Sequence, residues 1–77
     1  MQFHNQKTNV IYKSRTTKAR EGLYISIVER LELGANNTVA RAYLSSREVH
    51  ATRAKARHYA TSMARYQFSK HCAIYGM

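Results

Sequence analysis

"RAKARHYATSMARYQF", residues 53–68, sets basic residues and alanines alternately and then drifts into aromatics. Read at a period of two it is a strand with one charged face. At 3.6 it is a helix with a charged outer side, and with no period it is a basic tail. The choice decides the fold. Alanine stands at 51, 54, 56, 60, 64 and 73, and no Pro or Gly interrupts the chain from Ser45 until Gly76. Alanine is the best helix former, and glycine suits the position just past a helix end, so the stretch reads as a helix. "SSRE" at 45–48 has the form of a capping box, with Ser45 capping a free N–H and Glu48 reaching back. The expected helix therefore spans residues 45–76.

On a wheel of about 100° per residue, one face carries Val49, Thr52, Ala56, Tyr59, Ala60, Met63, Tyr66 and Ile74. The other carries Arg47, His50, Lys55, Arg57, His58, Arg65, Phe68 and Cys72, with Arg53, Lys70 and His71 near the boundary. The alanines allow close approach to a sheet, and Tyr59, Met63 and Tyr66 supply core volume.

Working outward from that helix, the chain alternates. "NVIYKSR" (9–15) is rich in β-branched and aromatic residues and reads as a strand. "TTKAREG" (16–22) is polar and closed by Gly22, and reads as a loop. "LYISIVERLEL" (23–33) fits a strand or an i, i+4, i+8 helix, and its β-branched run favours the strand. "GANN" (34–37) is a turn, and "TVARAYL" (38–44) alternates cleanly again. Residues 1–8 show no period and read as a frayed start. The expectation is one small basic α+β domain over residues 1–77. A three-stranded antiparallel sheet (9–44) is followed by one long C-terminal helix packed on it (45–76), a βββα order.

Charge narrows the partners. Thirteen Lys and Arg face four Glu and no Asp, for a net charge of +9. All four carboxylates lie between Glu21 and Glu48, while residues 1–20 and 49–77 hold only bases. That segregation fits a polyphosphate or another acidic surface. A single cysteine, Cys72, gives no disulfide framework and suits a reducing, intracellular, cytoplasmic setting. No apolar run approaches the roughly 18 residues of a membrane span. So short a chain buries little, which leaves room for a homodimer.

Catalysis is not expected. Glu29 and Glu32, three apart on a strand, fall on opposite faces and make a poor acid/base pair. His50, His58, His71 and Cys72 lack metal-ligand spacing, and no glycine-rich phosphate loop is present, so no metal and no cofactor are expected.

What remains is basic residues interleaved with aromatics, the pattern of a nucleic-acid binder. Two surfaces compete. One is the open sheet face with its loop: Lys13, Arg15, Lys18, Arg20, Arg41 and Tyr43. The other is the outer helix face: Arg53, Lys55, Arg57 and Arg65, with Arg47 and His58. Either could enter a major groove or hold phosphates. A three-stranded sheet with one helix resembles, in topology, the arm-binding domains of phage integrases. The resemblance implies DNA reading by the sheet and assigns no residue. The alternative is a compact modulator, of the kind phages and mobile elements encode, docking on an acidic surface of a host protein or ribonucleoprotein. An outward-facing group of Ile11, Val39 and Tyr43 would favour that alternative.

Overall fold

The computed structural model describes residues 1–77. Its architecture is α+β: an antiparallel sheet with one C-terminal helix. The sheet has four strands, not three, in the order β1 (Gln2–Asn5), β2 (Val10–Arg20), β3 (Leu23–Leu33) and β4 (Val39–His50). The helix α1 spans Arg53–Tyr75 and lies across one face. A single turn of 3₁₀ helix at Ala35–Asn37 joins β3 to β4.

Three boundaries depart from the sequence reading. Residues 2–5 are paired rather than frayed, with Phe3 opposite Tyr12 and Asn5 opposite Val10. The expected loop at 16–22 is the end of β2, and only Glu21 and Gly22 make the turn; Gly22 supplies the positive φ of 72°. Residues 45–50 belong to β4, so the capping box does not form. The helix starts at Arg53 behind Thr52, whose hydroxyl accepts from Lys55 N–H at 3.2 Å. The expected stop is where it was read. Gly76 takes φ 82° and donates its N–H to the Cys72 carbonyl at 2.7 Å.

Cross-strand partners share a face, so the register sorts the sheet. Phe3, Asn5, Val10, Tyr12, Ser14, Ser26, Val28 and Arg30 face the helix. Ile11, Lys13, Arg15, Ile25, Ile27, Glu29, Leu31 and Leu33 face outward. The core is small: Val10, Tyr12, Val28 and Ala64, flanked by Phe3, Met63 and Phe68. Ala56, Ala60 and Ala64 form a fully buried ridge at i, i+4 spacing, which lets the helix backbone approach the strands closely.

That ridge re-centres the wheel. Ala64, Phe68 and His71 turn inward, and Phe68 stacks on Phe3 at 5.6 Å between ring centres. Tyr66 and Ile74, read as core, are 61% and 66% exposed. Val49, also read as a core residue of the helix, sits on β4 and is exposed.

The four buried polar residues beside this core, Asn5, Ser14, Ser26 and His71, each make a side-chain hydrogen bond. Asn5 donates to the Gly76 carbonyl at 2.6 Å and accepts from Thr8 N–H at 3.0 Å. Ser26 Oγ meets His50 Nε2 at 3.0 Å, and His71 Nε2 meets Thr8 Oγ1 at 2.8 Å.

Candidate nucleic-acid interface

The ten basic and aromatic residues singled out from the sequence do not form one surface. On the outer sheet face lie Lys13 and Arg15; a bulge at Ala19 brings Arg20 to the same side, opposite Leu23. Arg15 Nε donates to Glu29 Oε1 at 2.9 Å. Lys18 is on the helix side of the sheet and pairs with Glu21 across the turn. Arg41 and Tyr43 are also on the helix side, but on β4, which the helix barely covers, and both are exposed. Arg41 donates to Tyr43 Oη at 3.4 Å. That bond, the phenol itself and Glu32 hold its guanidinium more firmly protonated than usual.

The helix group divides as well. Lys55 points into solvent on the side away from the sheet, and Arg47, being on β4, is not part of the helix. Arg65 reaches over Phe3, with its guanidinium carbon 5.8 Å from the ring centre. Arg53 lies 5.2 Å over the Tyr24 ring. Such cation–π contacts fix long side chains while leaving the charge available.

Two of the expected residues, Arg53 and Arg57, line a cleft of about 340 Å³, to whose rim the outward-facing Arg15 also contributes. It is lined by the first turns of α1, including Ala60 and Thr61, by the Ser14–Thr16 segment of β2 and by Met1. β1 pairs with β2 as far as Gln2 with Lys13, and the cleft opens along β2 past that pairing, leaving a gap beside Thr16. By strand alternation the Thr16 backbone N–H and C=O point into this gap. No carboxylate lines it. The chain's three ion pairs engage Arg15, Lys18 and Arg30, which leaves Arg53 and Arg57 without an acidic partner. The N-terminal end of the helix dipole adds to the positive field.

A second cleft of about 350 Å³ opens on the other flank of the helix, and the sequence reading missed it. Arg30 and Lys70 stand there with Tyr12, Tyr66, His71 and Tyr75. Buried within it, Arg30 Nε has no hydrogen-bond partner, although its terminal nitrogen pairs with Glu32 at 3.2 Å. Burial, and secondarily Arg30, pushes the His71 pKa down. A wheel centred on Ala56, Ala60 and Ala64 would have brought Tyr66 and Lys70 to one flank. The signal was present but read from the wrong centre.

No family model, curated protein or solved structure matches this chain. The four-strand order also departs from the three-stranded topology that suggested the integrase arm-binding domains.

Chemically, the first cleft offers two unpaired guanidiniums, three hydroxyls (Ser14, Thr16 and Thr61) and a backbone N–H, all suited to phosphate oxygens. The second offers exposed aromatic rings beside two cations, suited to a base and its phosphate. No three His, Cys or Glu side chains converge.

Proposed function

We propose that this protein is a small non-enzymatic nucleic-acid-binding module that holds the phosphate backbone through arginine. The observation that carries the reading is the carboxylate-free cleft in which Arg53 and Arg57 stand unpaired beside Arg15. The excess of thirteen bases over four acids supplies the long-range attraction. Tyr66 and Tyr75, both exposed beside Lys70, supply faces on which bases can stack.

The test is fluorescence anisotropy with labelled single- and double-stranded oligonucleotides over a salt series. If about six phosphates are neutralised on B-DNA, log affinity falls with log salt at a slope near −5. A salt-independent affinity, or no binding at low salt to DNA or RNA, overturns the reading.

Docking on an acidic protein surface is the second reading, and one observation favours it in part. Ile11 and Val39 share the outer sheet face beside Lys13 and Arg15, but Tyr43 lies on the opposite face. A pull-down with and without nuclease separates the two. Partners that survive nuclease favour the protein reading.

A further inference from the structure

The most exposed element of the fold is β4. Ten of its twelve residues are exposed, among them Leu44 at 63% and Val39 at 55%. One edge of this strand pairs with β3 and the other has no strand beside it, although Ser45 donates to Gln67 of the helix. Long, open, partly apolar edges are a liability that folded proteins cover, blunt or pair.

Three features of β4 specify what would pair with it. The first is backbone direction. Ser14 N–H bonds the Met1 carbonyl, so helix-side residues of β2 bond toward β1 and outer-face residues toward β3. Carried through the register, Ser26 and Val28 bond toward Glu48 and Ser46. Ala42, Leu44, Arg47 and Val49 are then left with backbone groups on the open edge.

The second is charge. Glu48 is the one carboxylate of four that joins no ion pair, and Arg41 on the same strand has no carboxylate within ion-pair distance.

The third is the bulge. Val28 pairs with Ser46 and Glu29 with Leu44, so Ser45 is an extra residue. In a regular strand Arg41 and Glu48, seven positions apart, would point to opposite faces. The extra residue puts both on the helix side, opposite Glu32 and Ser26 respectively.

We propose that β4 pairs edge to edge, antiparallel, with β4 of a second copy about a two-fold axis at the Leu44–Ser45 bulge. Arg41 of each chain then faces the partner subunit's Glu48. In this register Ala42 lies opposite Arg47 of the partner subunit, and both direct backbone groups to the shared edge, as a hydrogen-bonded pair requires. Arg41 and Glu48 fall in the closer, non-hydrogen-bonded position, where side chains interact most strongly. The two-fold gives two such ion pairs and brings the two exposed Leu44 side chains beside the axis. The result is one eight-stranded sheet with both helices on the same side. The pairing does not depend on whether the clefts bind nucleic acid.

The experiment is sedimentation equilibrium on nuclease-treated protein. The wild type is expected at twice the 8.9 kDa chain mass. Arg41→Glu alone and Glu48→Arg alone each place like charges in both contacts and should weaken the dimer about 10- to 100-fold. Mixing the two variants in equal amounts makes both contacts complementary and should restore it as a heterodimer. Circular dichroism of each variant checks that it is folded, and the mixture serves as the internal control. A monomeric wild type at every concentration overturns the proposal. So does a dimer lost on nuclease treatment, one untouched by both reversals, or a mixture that fails to recover.

Discussion

Asn5 and Gly76 are joined by a 2.6 Å hydrogen bond across 71 residues of sequence, from the side-chain amide of the first strand to the carbonyl that follows the helix. Asn5 is 1% exposed, and its amide also reaches Cys72 Sγ at 3.3 Å. Removing the amide leaves a partly buried carbonyl and the Thr8 N–H without their partner. Asn5→Ala should therefore cost about 1–3 kcal/mol in urea unfolding, and the exposed neighbour change Gln6→Ala far less.

The helix start gives a second expectation. Thr52 is the residue whose hydroxyl satisfies an end N–H, so Thr52→Ala should destabilise by about 1 kcal/mol. Ser45→Ala removes an exposed hydroxyl that donates to Gln67 Oε1 and should cost only about 0.5 kcal/mol. Paired chemical denaturation curves compare the two directly. The absence of any loss at Thr52 would overturn its role as the cap.

His71 predicts the pH dependence. Its pKa in the fold lies below the ordinary value of 6.5, because burial disfavours the charged ring and Arg30 repels it. A group with a lowered folded pKa takes up protons more readily when unfolded. Its stabilising contribution is thus complete above about pH 6.5 and is lost as pH falls below that value. Thermal melts between pH 8 and pH 5 should show a falling midpoint on the acid side, and His71→Gln should flatten that limb.

The arginine cleft is tested by contrast. Replacing Arg53 and Arg57 with Gln should weaken oligonucleotide binding and make the salt slope shallower by about two units, one for each phosphate no longer neutralised. Replacing Lys55 and His58, which share the helix but face solvent away from the cleft, should leave the slope nearly unchanged. Equal losses from both pairs would mean that charge alone governs binding and the cleft has no privileged role.

Much of the architecture was legible because its residues alternate strongly. Val10 and Tyr12 against Ile11 and Lys13 mark β2, and Gly22 and Gly76 mark a turn and a helix end. The failures have physical causes. Only four residues make up β1, too few for a period, and it is held by tertiary contacts such as Phe3 on Phe68. The second half of β4 shows polar residues on both faces because neither face is buried, so periodicity has nothing to record there. The local Ser-Ser-Arg-Glu pattern then read as a cap. That early start made Val49 a core residue of the helix and rotated the inferred inner face away from the alanine ridge. The charge pattern brought Arg53 and Arg57 forward, and the fold places both at one cleft. That pattern could not find Arg30, which lies far away in sequence and joins Lys70 and Tyr66 only through the fold.

The sheet order has a consequence for how the chain assembles. Every strand neighbours the next one in sequence, so each hairpin closes a short loop and can form by itself. The Asn5–Gly76 bond is of another kind, since it needs both ends of the chain already in place. Variants of Asn5 should therefore accelerate unfolding while leaving the refolding rate nearly unchanged, the kinetic mark of an interaction made after the barrier.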